Sequence, residues 1–275
     1  MIKYQITPQY AAWRIKKLAY NFIPFGKLRR KLQKSLPRKW DVISFSAENM
    51  AKYQELLKHY PDVLTPEESL ALAQGKSFSR IGDGEFNNII GRRNSFNDPD
   101  NKLAARLAQI CESGSTENCI VCLNNYKLPQ GHPAYSWFLH HGSRRMEPIL
   151  QHVKFADQKY ADAYFLIRNP LDEVRKLWEG CKILFVCNRK SKIIDDPAGF
   201  FASAPAKEYL FIPERNAFAQ YDELLAQIKK YNSQEWIIYM EAGATASVLA
   251  WDLAKAGYRA LDMGDLYNRF LENRH

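Results

Sequence analysis

Short apolar segments alternate with helical segments from residue 47 to the end of the chain. Strands of a parallel sheet have this character, because helices cover both faces of such a sheet and leave its strands buried. The predicted strands are residues 77–81, 119–123, 164–168, 182–186, 209–212, 236–240 and 259–261. The predicted helices lie between them, and one begins at a capping box at residues 65–68. The pattern predicts one α/β domain over residues 47–275, with a mostly parallel sheet and helices on both faces.

The positive charge of the chain belongs to its N-terminal part. Residues 1–40 contain eleven Lys or Arg and no Asp or Glu, which leaves 28 basic against 30 acidic residues in the remainder. The domain itself is therefore close to neutral. We treat residues 1–46 as a separate basic extension.

This extension has the pattern of two short amphipathic helices. Ile15, Leu18 and Phe22 share one helical face, and Phe25 begins a second such pattern that runs to Leu36, with cations between the apolar positions. No apolar stretch reaches the roughly 20 residues that a membrane-spanning helix needs. The segment fits an anionic membrane surface. The alternative is packing on the domain or on a second subunit of a homo-oligomer, and nucleic acid is disfavoured because no basic surface continues on the domain.

The cysteines and the N-terminus favour a cytoplasmic protein, peripheral at the membrane if the extension binds there. Cys119 and Cys122 have a spacing that zinc sites use, but their strand-like surroundings favour buried core thiols. The N-terminus lacks the apolar core and small-residue cleavage site of a signal peptide.

Polar and glycine residues follow several of the predicted strands. In parallel sheets, ligands bind beyond the carboxyl ends of the strands. The turns after residues 81, 186, 212, 240 and 261 are therefore expected to converge on one site.

The first of these turns carries two carboxylates, Asp83 and Glu85, directly after a strand. Carboxylates two residues apart can meet one hard cation, Mg²⁺ or Mn²⁺, whose coordination a diphosphate would complete. Gly82 and Gly84 let the backbone approach a ligand, and Arg80 could pair with a phosphate. The alternative is an ordinary surface turn, in which Gly-Asp-Gly is common.

Three further turns carry candidate ligand-binding residues. Gly243 and Thr245 open a helix whose free N–H groups suit a phosphate, although Thr245 could equally serve as a helix cap. Asn216 could cap a helix or bind a ligand. Asp262 and Asp265 bring another carboxylate pair to the same edge.

Taken together, these segments resemble the GT-D-fold bacterial glycosyltransferases, which are metal-dependent and carry a D-x-E motif. The resemblance rests on residues 79–86, on residues 243–264, on Pro213 with residues 216–222, and on Phe96 followed by Asp100 and Leu103. It implies a Rossmann-like domain that uses a UDP-sugar, with Asp83 and Glu85 as the ligands of Mn²⁺ or Mg²⁺. The residues expected around the nucleotide and diphosphate are Arg80, Gly82, Gly84, Asn216, Gly243, Thr245 and Asp262.

One departure from the family concerns the base that activates the acceptor. Where the family tends to have Asp-x-Gly-His-x-Asp, this chain has Asp265 and Tyr267 in place of the His and the second Asp. We therefore predict Asp265 as the base. The expected reaction is metal-assisted hexosyl transfer to a lipid-linked or protein-linked acceptor in bacterial polysaccharide or glycoprotein assembly. The alternatives are an S-adenosylmethionine-dependent methyltransferase and a non-catalytic, membrane-associated nucleotide-binding protein.

Overall fold

The computed structural model describes residues 2, 4–197 and 199–272. Seven strands form one sheet in the order β3-β2-β1-β7-β6-β4-β5, and every pairing between neighbours is parallel. The strands are β1 Ser77–Ile81, β2 Cys119–Leu123, β3 Ala161–Asp162, β4 Lys182–Asn188, β5 Lys207–Ile212, β6 Trp236–Met240 and β7 Arg259–Asp262. The predicted parallel α/β sheet is confirmed.

Helices connect the strands and form the N-terminal extension. They are α1 Pro8–Asn21, α2 Gly26–Ser35, α3 Lys39–Val42, α4 Ala47–Lys58, α5 Pro66–Ala73, α6 Asp83–Ile89, α7 Asn101–Ser113, α8 Tyr135–His152, α9 Phe165–Arg168, α10 Leu171–Arg175, α11 Tyr221–Ile228, α12 Ala244–Lys255 and α13 Leu266–Glu272. A 3₁₀ turn, Ala217–Gln220, precedes α11. The capping box predicted before α5 is present: Thr65 Oγ1 accepts the Glu68 N–H, and a Glu68 carboxylate oxygen accepts the Thr65 N–H.

One predicted strand is wrong. Residues 164–168 are not extended, since Phe165–Arg168 forms the short helix α9. Asp162 fixes this turn, because its carboxylate accepts the Tyr164 N–H at 2.6 Å and pairs with the Arg168 guanidinium at 2.5 Å. The strand at this edge of the sheet is instead the two-residue β3.

The chain forms two compact units. Unit 1 comprises residues 1–60 and 126–148, and unit 2 comprises residues 61–125 and 149–275. The predicted boundary between residues 46 and 47 stays a prediction. Unit 2 contains the sheet and its apolar cores. Along β4, Phe185 packs into an aromatic-rich core on one face of the sheet, whereas Leu184 and Val186 pack under α12 on the other face.

Unit 1 contains the basic extension. Helices α1 and α2 occur where the two amphipathic patterns predicted them, which confirms a helical N-terminal extension. Across the described ranges, no helix combines the length and the apolar character that crossing a bilayer requires. The five cysteines of the chain are free thiols and four are buried, Cys119 and Cys122 among them. This agrees with the interpretation of these two as core residues.

Candidate active site

The polar turns after β1, β4, β5, β6 and β7 lie at one edge of the sheet, because all the strands run in the same direction. The register places Ile81 beside Leu123 and Met240 beside Asp262. The five turns therefore lie at the edge where the sequence predicted them, and their convergence on one ligand stays a prediction. Every site residue predicted from the sequence belongs to unit 2.

Asp83 and Glu85 lie in the first turn of α6. They directly follow β1, as predicted, and the predicted turn is the start of a helix that begins at Asp83 itself. Glu85 Oε2 accepts the Gly82 N–H at 2.9 Å, so this side chain turns back over the start of its own helix. Burial, and then the negative charge of Asp262, raises the pKa of Glu85 to about 7. A cation beside Glu85 would offset this unfavourable charge.

The two glycines of this turn have identifiable roles. A Cβ at Gly82 would lie 3.3 Å from Glu85 Oε2, so its absence leaves room for the carboxylate to cap the helix. The Gly84 carbonyl accepts a hydrogen bond from Asn94 Nδ2 at 2.9 Å. The turn is therefore tied to the loop that follows α6.

Asn124 joins this group from the neighbouring strand. Its Nδ2 donates to Asp83 Oδ1 at 3.2 Å, because Asn124 directly follows β2 at the same edge of the sheet. Sequence reasoning missed this residue. The signal that could have found it is its position, the first polar residue after a buried strand adjacent to the one that carries Asp83.

The donor atoms present fit a divalent cation that substrate phosphates complete. Mg²⁺ sites commonly use one or two carboxylates, with phosphate oxygens and water as the other ligands. Asp83 and Glu85 supply that number from one helical turn. Over the part of the chain that is described, no group of three or more His, Cys, Asp or Glu side chains is arranged as a metal cage. The two carboxylates would leave the rest of the coordination shell to phosphate oxygens and water.

Arg80 and Asp262 hold the ends of three strands together. The Arg80 N–H donates to Asp262 Oδ2 at 3.0 Å, and the Arg80 guanidinium donates to the carbonyls of Ala163 and Met263, each at 2.8 Å. Asp262 is buried and also accepts the Ser247 hydroxyl at 2.8 Å. These bonds shape the floor of the site. Contact of Arg80 or Asp262 with a nucleotide stays a prediction.

Gly243 begins α12, with φ of +54° and ψ of −144°, in a region that side chains rarely adopt. A Cβ there would lie 3.2 Å from Phe96 Cβ and 3.4 Å from Asn97 Oδ1, so the loop after α6 packs directly against this turn. Thr245 is fully buried, and no partner for its hydroxyl occurs within the described residues. The start of α12 therefore combines a close backbone approach at Gly243 with a buried hydroxyl at Thr245, in the first turn of a helix, where anions often bind.

Asn216 holds the 94–98 loop in place. Asn216 adopts a left-handed φ of +56°, and its N–H donates to the Phe96 carbonyl at 2.8 Å. Its side-chain amide exchanges two hydrogen bonds with Asp98, each at 2.8 Å, which leaves Asn216 as an anchor for the loop. The loop presents Phe96, whose side chain is 54% exposed, next to Gly243.

Glu241 directly follows β6 at the same edge. Its Oε2 accepts the Ser191 hydroxyl at 2.6 Å, and its buried Oε1 has no partner within the described residues. Burial raises the pKa of Glu241 to about 7, with a smaller contribution from the charge of Asp265. Sequence reasoning assigned Glu241 no role, because a single Glu after a strand is common. Burial alone distinguishes it.

Asp265, the base predicted from the sequence, lies in the turn after β7. Its two carboxylate oxygens accept hydrogen bonds from Arg269 Nε at 2.9 and 3.1 Å, and its side chain is about half exposed. The structure therefore brings Asp265 to the expected edge. It gives the carboxylate an ion-pair partner within α13.

A family model described as the glycosyltransferase GT-D fold matches residues 78–273, which include all of these turns. The chain belongs to the GT-D glycosyltransferase family. Two solved structures of the domain of unknown function 1792, one described as having a distinct glycosyltransferase fold, are 27% identical to this GT-D chain. Both have a TM-score of 0.71, and they cover 81% and 82% of this chain and 85% of theirs.

Two streptococcal proteins are also similar. A probable glycosyl transferase, Gly, of Streptococcus gordonii is 26% identical over 76% of this chain, and the glycosyltransferase GlyD of Streptococcus pneumoniae is 24% identical over 72%. The alignments cover only 32% and 26% of those proteins. This GT-D chain thus spans about a third or less of the curated relatives that it matches.

Proposed function

We propose that this GT-D chain transfers a hexose from a UDP-sugar to a bacterial surface glycan or glycoprotein. The observation that carries the proposal is that the Asp83–Asn124 pair and the glycine-led start of α12 both lie at the carboxyl edge of the parallel sheet. Family membership supports sugar transfer over the methyltransferase alternative.

The donor diphosphate is proposed to lie between α6 and α12. The first-turn N–H groups of α12 and the Thr245 hydroxyl are hydrogen-bond donors that suit phosphate oxygens. Phe96, held against Gly243 by Asn216, offers an exposed aromatic ring near the same helix start. The residues proposed to lie around the nucleotide and diphosphate are those predicted from the sequence: Arg80, Gly82, Gly84, Asn216, Gly243, Thr245 and Asp262.

A divalent cation, Mn²⁺ or Mg²⁺, would be held by Asp83 and Glu85. Such an ion supplies charge neutralisation for the departing nucleoside diphosphate. Asn124 fixes the Asp83 carboxylate through its donated hydrogen bond, so the chain presents one oriented oxygen ligand. The pKa of Glu85, which burial and the charge of Asp262 raise to about 7, would fall beside a cation.

The acceptor hydroxyl must lose its proton as its oxygen bonds to the anomeric carbon and the bond to UDP breaks. Asp265 is the base predicted from the sequence, and its exposure would let it reach an acceptor. Glu241 is the second candidate, since a carboxylate with a pKa of about 7 is suited to accept a proton near neutral pH.

We further propose that the acceptor is lipid-linked or protein-linked and that the reaction takes place at the cytoplasmic face of the cell membrane. The basic N-terminal helices support this location, because eleven cations without acids attract the anionic inner leaflet.

Release of UDP from a panel of UDP-hexoses and UDP-N-acetylhexosamines tests the proposal, with Mn²⁺ or with chelator. We expect one donor to be consumed in the presence of Mn²⁺, and Asp83→Asn to lower the rate by at least about a hundredfold. Asp172→Asn removes an exposed carboxylate from the first turn of α10 and serves as the matched control. Stabilisation by S-adenosylmethionine, without UDP release from any donor, would overturn the proposal.

A further inference from the structure

Helix α1 uses one of its sides to pack within unit 1. Tyr10 and Trp13 are the buried residues of the helix. Trp13 Nε1 donates to the Pro37 carbonyl at 2.8 Å, and the hydroxyls of Tyr10 and Tyr4 are hydrogen-bonded at 3.0 Å. This side anchors the helix.

The other side of α1 is apolar and exposed. Ile15, Leu18 and Phe22 are 68%, 54% and 86% exposed, and Phe25, just before α2, is 70% exposed. At about 100° per residue the first three lie within roughly 60° of one another, on the side opposite to Trp13. We call these four residues the apolar ridge. An apolar face that stays uncovered while the opposite side is anchored indicates a contact surface.

A cavity of about 390 Å³ adjoins the apolar ridge, because Leu18 belongs to both. Its lining includes the aromatic rings of the anchored side and the three cations Arg14, Lys17 and Lys39, and no acidic side chain of the described residues lines it. Lys17 Nζ lies 4.9 Å from the Trp13 ring centre, and Lys39 Nζ lies 4.7 Å from that of Tyr4. The cavity is therefore an aromatic-walled site with positive charge.

We propose that this surface docks on an anionic membrane, with the cavity binding the phosphate of a lipid headgroup and the apolar ridge entering the acyl boundary. Lys and Arg form strong, charge-assisted hydrogen bonds with phosphate oxygens. An interfacial helix needs both apolar residues and cations, and here they adjoin at Leu18. Nucleic acid would leave the ridge uncovered. A second copy would bring the same excess of cations and be repelled.

Flotation of the full chain with vesicles tests this proposal, and it does so independently of sugar transfer, because no donor or acceptor is present. The vesicles contain phosphatidylcholine alone or with phosphatidylglycerol. We expect binding to the second kind only, and weaker binding at high salt.

Two double variants separate the cavity from the apolar ridge. Lys17→Gln with Lys39→Gln should weaken binding about 25-fold, since each cation near an anionic surface contributes about fivefold. Leu18→Ser with Phe22→Ser should weaken it roughly tenfold or more. Lys102→Gln with Lys159→Gln makes the same charge change at exposed positions of unit 2 and should have little effect.

Four results would overturn the proposal. The first is equal binding to both vesicle compositions. The second is wild-type binding by the Leu18→Ser, Phe22→Ser variant with its circular dichroism unchanged. The third is the loss of a dimer in that variant by analytical ultracentrifugation without loss of vesicle binding, which would assign the ridge to a second copy. The fourth is a rise in the melting temperature of the full chain with inorganic phosphate, without binding to either kind of vesicle, which would show an anion site that takes free phosphate instead of lipid.

Discussion

Replacement of Glu241 by Gln tests whether this buried carboxylate is the base of the reaction. The two side chains have nearly the same shape, and the amide oxygen of the Glu241→Gln variant can still accept the Ser191 hydroxyl. What the variant loses is the ability to take a proton. The experiment therefore separates proton transfer from the support that the side chain gives to the site.

The magnitude follows from the pKa of about 7 for Glu241. A base acts only when ionised, so kcat/KM of the wild type should be half-maximal near pH 7 and fall tenfold per pH unit below it, to about one hundredth at pH 5. Loss of a general base costs about 10²–10⁴ in rate. We expect Glu241→Gln to be slower by at least about a hundredfold at pH 8 and to show no rise between pH 5 and 8.

Two groups near Glu241, Cys187 and Tyr239, do not lose a proton between pH 5 and 9. Burial raises the pKa of Cys187 to about 12 and places that of Tyr239 well above its usual range, so both stay protonated. The charge of Asp265 is one reason that the pKa of Glu241 is raised. Glu85, also with a pKa of about 7, is the group to distinguish.

The assay is the initial rate of UDP release at saturating Mn²⁺, from pH 5 to 9. Glu214→Gln is the matched control, because Glu214 is exposed in the turn after β5. If the rate of UDP release still rises with pH in Glu241→Gln, the rise belongs to Glu85. If that variant also keeps a rate within a few-fold of wild type, Glu241 is not the base.

Other substitutions test the predicted site. Gly243→Ala should raise KM for the donor several-fold and lower the free energy of unfolding by about 1–3 kcal/mol, because the added Cβ would press on the 94–98 loop. The control is Gly257→Ala. It is also strained, at φ +80°, but its Cβ meets no neighbour, so KM should be unchanged. Asn216→Ala should cost about 1–2 kcal/mol in urea unfolding, since the anchor of that loop is lost; an unchanged midpoint would contradict that role. If Glu241 is the base, Asp265→Ala should slow turnover less than Glu241→Gln does; the reverse order would identify Asp265, the base predicted from the sequence.

The parallel arrangement of the strands could be predicted from the sequence, but the position of every strand could not. Residues 164–168 are apolar and short, and such runs fit a strand or a helix equally well. The choice is made by Asp162 and Asn169, whose side chains bind Tyr164 N–H and the Phe165 carbonyl. Local polar contacts thus override the apolar pattern.

The candidate site was predictable in place and less so in geometry. Asp83 and Glu85 were expected in a turn after β1, but the sequence pattern did not indicate that α6 begins there at once, with Glu85 as its cap. The partner of Asn216 lies 118 residues earlier in the chain, which no local pattern could indicate. Likewise, the face of α1 that stays exposed depends on the packing of Trp13 with residues near Pro37.

The central claim is a UDP site whose metal is held by Asp83. Its most direct test is the melting temperature of wild type and Asp83→Ala during titration with UDP, with Mn²⁺ or with chelator. We predict that UDP stabilises the wild type only with Mn²⁺, by about 2.7 kcal/mol at a hundred times its Kd, and that Asp83→Ala shows no such stabilisation. Equal stabilisation of both proteins, or stabilisation that persists with chelator, would contradict the claim.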